Sequence, residues 1–514
     1  MNFRYLYIVM VVLFAYLLFY SWTQESKQKQ ELVEASYVEN IAAQPGLSEQ
    51  GFLEIKNDNL VVRVGERSGR VVEARLINYK FLQKEGSLGV RVFGEDPQGV
   101  KFYLGSGFTG ESPEYKVQRA SDSEVVLISL DGRFKKSISL DGDDYELIVV
   151  DQIISGLVEN ETSPYIAMYR TDGKALDARS GWIEGSSYTG VAFNTPKDPY
   201  DNYRLSSIDE RMEFQQRGGW LGFIQKYFMA AILPDPDQGV VLSVSPPQGS
   251  SDVYVMASIS SDVEAIEMID GFQHRVFIGP KIRSDLMSRA SNLELSIDMG
   301  WFWFLAQPLV MLLSLLHGVV GNWGVAIILL TLLIKLLFWP LSSKGFQSMA
   351  KMRSVQPLTK EIQERYKDDR AKLGTEMMAL YKKEGINPVG GCFPMLLQMP
   401  VFVAFFFCLR ESVELRHAPF FLWIQDLSAP DPLFILPVIF AGLMYLTQTL
   451  NPQPPGMDPM QAQVMKFMPI MIAGIFVIMP AGLVLYSVVN SGVSLIQQRA
   501  LYKKYGGSTS LSGE

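Results

Sequence analysis

The chain has 514 residues, 48% of them hydrophobic and 19% charged, with a formal net charge of −8. That balance excludes a disordered chain, and apolar runs long enough to cross a bilayer, at the N-terminus and beyond residue 300, mark an integral membrane protein. Residues 23–300 hold 42 Asp+Glu against 28 Lys+Arg while residues 301–514 hold 12 against 17, so the two parts face different surroundings and the acidic part argues against a nucleic-acid partner.

Residues 1–22 read as a signal-anchor transmembrane helix. The uncharged run 5–22 exceeds the ~7–15 residues of a signal-peptide core, and Tyr20-Ser21-Trp22 offers no small-residue cleavage site. With Arg4 held inside, the chain leaves the cytoplasm here. Residues 23–52 are polar and read as a flexible linker.

Residues 53–300 predict a large periplasmic β-sandwich domain with a C-terminal helix. Short period-2 runs (NLVVRV, GRVVEARLI, EVVLISL, FKKSISL, YELIVVDQI, GVVLSVS, DVYVMAS and HRVFIGP) are broken by Gly, Asp, Pro and Asn. Asp141-Gly142-Asp143 reads as a hairpin turn, and a short helix is expected over 284–293. The only cysteines, Cys392 and Cys408, lie in an apolar stretch, so the soluble part depends on core packing and not on disulfides.

The apolar block 301–341 is too long for one crossing. If both halves crossed, the ten Lys+Arg of residues 344–383 would lie outside, against the positive-inside bias. Residues 301–320 are therefore laid along the outer interface, with Trp301, Trp303 and Trp323 at headgroup level, and residues 321–342 form the second transmembrane helix. Residues 343–386 predict a cytoplasmic helical hairpin joined near Lys367-Asp368-Asp369. Transmembrane helices follow over 387–410, 432–450, 464–480 and 481–499, separated by a periplasmic loop (411–431), a cytoplasmic loop (451–463) and a turn at Pro480-Ala481-Gly482, with a cytoplasmic tail over 500–514. The last two arms are expected to be at or below the ~17 residues a span needs. The whole is a polytopic α-helical protein with six crossings and both termini cytoplasmic.

One ionisable residue stands well inside a predicted span, Lys335 in TLLIKLLFWP. A charge at the bilayer centre costs ~2.5–3.5 kcal/mol on insertion scales, so it faces a bundle interior or a water-filled cavity. The alternative is that Lys335, five residues before Pro340, snorkels to the inner headgroups. Thr331 shares its face at i−4, and Gln398, Gln448, Ser487, Asn490 and Ser491 add polar groups that either line a wet cavity open to the cytoplasm or make ordinary interhelical hydrogen bonds. Fourteen of the 23 methionines fall in residues 301–514, Met395 and Met399 beside Pro394 and Pro400; they either fill the membrane core or offer an adaptable surface. The two prolines are expected to kink their helix.

Enzyme signatures fail. Gly105-Ser106-Gly107-Phe108-Thr109-Gly110 matches G-x-G-x-x-G, but a strand-like segment follows in place of a helix, so it reads as a turn. His274, His317 and His417 are too scattered to hold zinc, and no Walker A or G-x-S-x-G sequence is present. The expectation is a protein that is not an enzyme and carries no cofactor.

The stretch NPVGGCFPMLLQMPVF, residues 387–402, resembles the signature of the YidC/Oxa/Alb membrane-protein insertases. GNWGVAIILLTLLIK, TEMMALYKKE, SVELRHAPFFLWIQDLSAPDP, DPMQAQVMKFMP and PAGLVLYSVVNS carry the likeness along the chain, and GGWLGFIQKYFMAAILP is similar to the Gram-negative form of the family. The resemblance implies a five-helix core enclosing a hydrophilic groove open to cytoplasm and lipid but closed toward the outside, with Lys335 in the place of a basic residue that is usually Arg. It also implies groove contacts at Thr331, Tyr486 and Ser487, and a substrate slide presenting Met399, Phe402 and Phe476. Many bacterial members carry Tyr where Ser487 stands, so a stacking role there is not carried over. The implied partners are nascent membrane proteins, SecYEG and SecDF, the ribosome or its targeting machinery at the cytoplasmic hairpin, and membrane lipids; the sandwich resembles sugar-mutarotase-like domains in a non-catalytic role. The expected activity is insertion and folding of inner-membrane proteins, Sec-independently or with the Sec translocon. The rival reading, a small-solute secondary transporter built around Lys335, lacks the internal repeats common in transporters, and five further spans are excessive for a mere anchor of the sandwich.

Overall fold

The structure, a computed structural model, describes residues 51–84, 86–95, 100–155, 162–171, 190–247, 253–261, 263, 265–300, 302–366, 369–386, 393–450 and 459–505. The expected anchor helix, nearly all of the linker, the first six residues of the insertase-like signature and most of the tail lie outside these residues. The chain divides into two compact units, Met1–Asp298 and Met299–Glu514.

The first unit holds two nine-stranded antiparallel sheets. One runs in the order Phe52–Lys56 (β1), Leu60–Gly65 (β2), Val71–Lys80 (β3), Gly89–Glu95 (β4), Lys101–Phe108 (β5), Pro164–Thr171 (β10), Val253–Ser260 (β17), Gly239–Ser245 (β16) and Met212–Arg217 (β13). The other runs Asp201–Tyr203 (β12), Gly190–Asn194 (β11), Trp220–Ile224 (β14), Phe228–Ile232 (β15), Phe272–Pro280 (β18), Glu146–Ile153 (β9), Phe134–Leu140 (β8), Glu124–Ser129 (β7) and Tyr115–Ala120 (β6). All eight alternating runs read in the sequence are strands, because mostly apolar side chains at alternate positions fill a buried face. Their inward faces meet through Phe102–Phe223 and Phe108–Phe134, with ring centroids 5.0 and 5.8 Å apart. The β8–β9 turn carries Gly142 at φ +48°, which glycine adopts without a Cβ penalty. A one-turn helix, Ala265–Asp270 (α1), precedes β18, and Arg283–Arg289 (α2) with a 3-10 turn over Leu293–Ser296 occupies the place of the expected exit helix.

The G-x-G-x-x-G segment is not a turn. Gly105 and Gly107 lie within β5 and only Gly110, at φ +82°, turns the chain. Tyrosine rings from β10 cover the strand: a Cβ on Gly105 would sit 3.3 Å from the Tyr169 ring, while Gly107, where an added Cβ would meet Tyr165 at an ordinary 3.8 Å, holds a φ of +153° that favours glycine.

The second unit is helical: Trp303–Val320 (α3), Trp323–Leu337 (α4), Trp339–Ser354 (α5), Gln356–Arg365 (α6), Arg370–Lys383 (α7), Phe393–Glu411 (α8), Ile435–Leu450 (α9), Pro459–Phe476 (α10) and Ala481–Tyr505 (α11). Asn322 caps α4 by accepting from Val325 N at 3.0 Å. Asp369 does the same for α7 through Lys372 N, and Pro340 sits in the first turn of α5, where its missing N–H costs nothing. Among the described residues, only α3 is by itself long and apolar enough to cross a bilayer; α4 and α5 pass together but are bent by 68°. Six crossings are therefore not legible in helix length alone. The helix that the charge argument lays flat is the one whose length suffices to cross, because length and apolarity do not separate spanning from surface-lying helices. The last two helices run beyond the expected arms: α10 has 18 residues and starts at Pro459, and α11 has 25 and continues past Lys503 and Lys504.

Candidate functional site

Lys335 stands in the last turn of α4, where helix carbonyls favour a cation. Its Nζ donates to Ser494 Oγ of α11 at 2.7 Å, and that hydroxyl donates to Asn490 O at 2.8 Å. One turn back, Tyr486 is 1% exposed, stacks on Phe405 with centroids 4.4 Å apart, and accepts a hydrogen bond from Gln398 Nε2 of α8. Tyr486, Asn490 and Ser494 recur at i, i+4 and i+8, which puts them on one face of α11. Asn490 Oδ1 is buried and makes no hydrogen bond among the described residues. Polar groups thus step along a helix whose own Leu483, Val484 and Leu485 are buried in the apolar core.

Of the residues singled out in the sequence, Lys335, Gln398, Tyr486 and Asn490 belong to this ladder or bond to it. Thr331 and Ser487 differ. Both are buried, and each hydroxyl donates back to its own helix, to Ile327 O at 2.7 Å and Leu483 O at 2.8 Å, so neither offers a proton outward. Met399 is 51% exposed and Phe402 half-buried, but Phe476 is 8% exposed, packed on Phe440 with centroids 4.4 Å apart, so it belongs to the core. Ser494 was missed, though its i+4 spacing from Asn490 was there to be read. Gln497, 0% exposed and donating to Ser342 and Ser343 at 2.9 and 3.0 Å, could not be found without the packing of α5 on α11.

One end of the helical unit is covered by the segment between α8 and α9. Ala481 N donates to Ala429 O at 2.7 Å and Gly482 N to Leu427 O at 2.9 Å, tying that segment to the start of α11. Asn322 Nδ2 donates to Phe420 O at 3.2 Å at the start of α4, and a Cβ on Gly324 would fall 2.0 Å from the Phe420 ring. Asp431, 1% exposed, accepts from Trp423 Nε1 and from the N–H groups of Leu433 and Leu436. Beneath the segment, Arg410 and Glu411 form an ion pair at 3.1 Å with side chains 3% and 2% exposed. Both charges are thus covered. Lys335 lies twelve residues into α4, ~18 Å from the covered end at the rise of an α-helix.

A family model described as 60Kd inner membrane protein matches residues 315–508, and one described as YidC periplasmic domain matches residues 53–312. The chain is 38% identical over 474 residues to the membrane protein insertase YidC of Psychromonas ingrahamii, covering 88% of this chain and 82% of that one. It is 36% identical over 480 residues to the protein of the same name from Cellvibrio japonicus, covering 88% and 85%. A solved structure described as an active YidC insertase with its first transmembrane domain resolved aligns over 87% of this chain and 94% of that one, at a TM-score of 0.40 and 18% identity. On the extent of these sequence matches, the chain belongs to the YidC family of membrane protein insertases, with a periplasmic domain and a helical C-terminal region.

Proposed function

We propose that the helical unit passes nascent inner-membrane proteins from the cytoplasm into lipid through a hydrophilic groove, alone or beside SecYEG and SecDF, with no nucleotide. The observation that carries this reading is the polar ladder with its cation, Lys335, set ~18 Å from an end that the 412–434 segment covers. A polar stretch of an incoming chain shelters against Lys335, Ser494 and Asn490 while its apolar stretch moves past Met399 and Phe402 into lipid. Transfer of apolar residues into the bilayer supplies the driving force, and the membrane potential acts on acidic residues carried outward. Lys335 keeps the positive charge but not the planar fork of an arginine, which favours general attraction over bidentate recognition.

In this reading the six-crossing topology holds, both termini are cytoplasmic, and the basic helices α6 and α7 receive substrates from the ribosome or its targeting machinery. The test is a photo-crosslinker at Met399 or Phe402 during synthesis of a small membrane protein. Adducts with the nascent chain are expected at both. Their absence, together with solute uptake by sealed vesicles, would replace the insertase reading with the transporter one.

A further inference from the structure

The β3–β4 hairpin carries an apolar tip with no role in the sandwich core. Phe81 N donates to Leu88 O at 2.8 Å, so the two side chains face the same way across the ribbon, and they are 54% and 64% exposed. Lys80 and Lys84 are exposed beside them. The ribbon is bent, since its register shifts between Leu76 and Lys80, and Gly89 is required because a Cβ there would lie 2.2 Å from Leu76 O.

The end of the sandwich to which this tip belongs is fixed by its neighbours. Tyr79 packs edge-on against Phe228, with centroids 5.3 Å apart, beside the β14–β15 turn that bears Lys226 over the Tyr227 ring at 4.7 Å. The chain's exit lies there too: Lys281 N donates to Tyr227 O at 2.8 Å, Lys281 Nζ to Ser296 O at 3.2 Å, and Ser296 Oγ lies 3.5 Å from Met229 Sδ. From Asp298, the last residue of the unit, to the start of α3 at Trp303 the chain can extend no more than ~17 Å.

We propose that this tip is a membrane-surface contact: Phe81 and Leu88 enter the outer headgroup region while Lys80, Lys84 and Lys226 meet phosphates. Large apolar side chains flanked by lysines and a tyrosine are the composition that settles at a bilayer interface. The same exposed pair would be a liability in bulk water. The end that bears it is tethered within a few residues of the membrane-protein part of the chain, which favours lipid over a soluble partner. The contact would hold the sandwich at the surface, whatever the role of Lys335.

Phe81→Cys, Leu88→Cys and, as reference, Leu130→Cys test it in the full chain carrying Cys392→Ser and Cys408→Ala. Leu130 is equally suited to labelling, 57% exposed in the β7–β8 turn, at the other end of β8 from the turn whose Tyr145 meets Asn78 and Tyr79. Each is labelled with bimane and reconstituted in vesicles containing phospholipid with a nitroxide on its headgroup. Quenching at 81 and 88 several-fold above that at 130 is the expected result. Equal quenching at all three overturns the proposal, as does shielding of 81 and 88 from a water-soluble quencher without quenching by the nitroxide lipid, which would mean a protein partner.

Discussion

Lys335 and Lys136 are both cations removed from bulk water, and they are handled differently. Among the described residues Lys335 meets only a hydroxyl, Ser494 Oγ, which leaves its charge available to an incoming acidic group. Lys335→Ala is therefore expected to reduce insertion of acidic-tailed substrates several-fold more than of neutral ones, with Lys335→Arg near wild type, in a protease-protection assay. Equal activity of all three chains would remove Lys335 from the mechanism. Lys136, in the sandwich, is committed: Nζ lies 3.1 Å from Asp151 Oδ1 and donates to Ser106 O and Oγ at 2.6 and 2.7 Å. Lys136→Met would strand a buried carboxylate and destabilise the sandwich by about 3–5 kcal/mol, read by denaturant unfolding. Beside that pair, His274 Nε2 is buried 3.9 Å from Asp151 Oδ2, and burial, outweighing the Asp151 charge, pushes His274 down to about 4. Unfolded, the imidazole titrates near 6.5, so the folded state binds fewer protons between the two values. The contribution is fully present above about pH 6.5 and is lost as pH falls toward 4, amounting to about 3 kcal/mol. His274→Phe should flatten the pH dependence of unfolding in that window, and an unchanged slope would count against it.

Among the elements, the segment over the end of the helical unit depends on close approach. Gly324 opens α4 where Phe420 lies across it, and a Cβ would meet that ring at 2.0 Å. Gly324→Ala should cost about 1–3 kcal/mol in thermal unfolding through displaced packing. Gly442→Ala in α9, with nothing within 4 Å of the added Cβ, should be neutral or stabilising by up to about 1 kcal/mol. The strands were legible because a period of two survives in short windows, as in the FKKSISL run of β8. The glycines of β5 were misread because local sequence gives glycine a turn meaning, whereas Tyr165 and Tyr169 arrive from a strand more than fifty residues away. Helix length and span length also differ. Charges set the expected limits of the last two arms, but backbone hydrogen bonding carries α11 through Lys503 and Lys504.

The whole molecule is two units with separate cores. Heat should unfold them in two transitions, and lowering the pH from 6.5 to 4 should shift the sandwich transition downward, since His274 belongs to that unit. Calorimetry of the reconstituted chain checks this, and a single transition moving as one would show that the units unfold together. The sequence by itself determined the sheet-rich acidic part, the apolar helical part and the family signature, because periodicity, composition and motif spacing are local properties of a chain. It placed Lys335, Gln398, Tyr486 and Asn490 among the residues of interest without saying what they touch. Only the tertiary structure joined Lys335 to Ser494 across 159 residues and Gln398 to Tyr486 across 88, turned Thr331 and Ser487 back on their own helices, and buried Phe476, Arg410 and Glu411. Those outcomes depend on which helix faces which, and that is settled by packing among distant segments and not by any window of sequence.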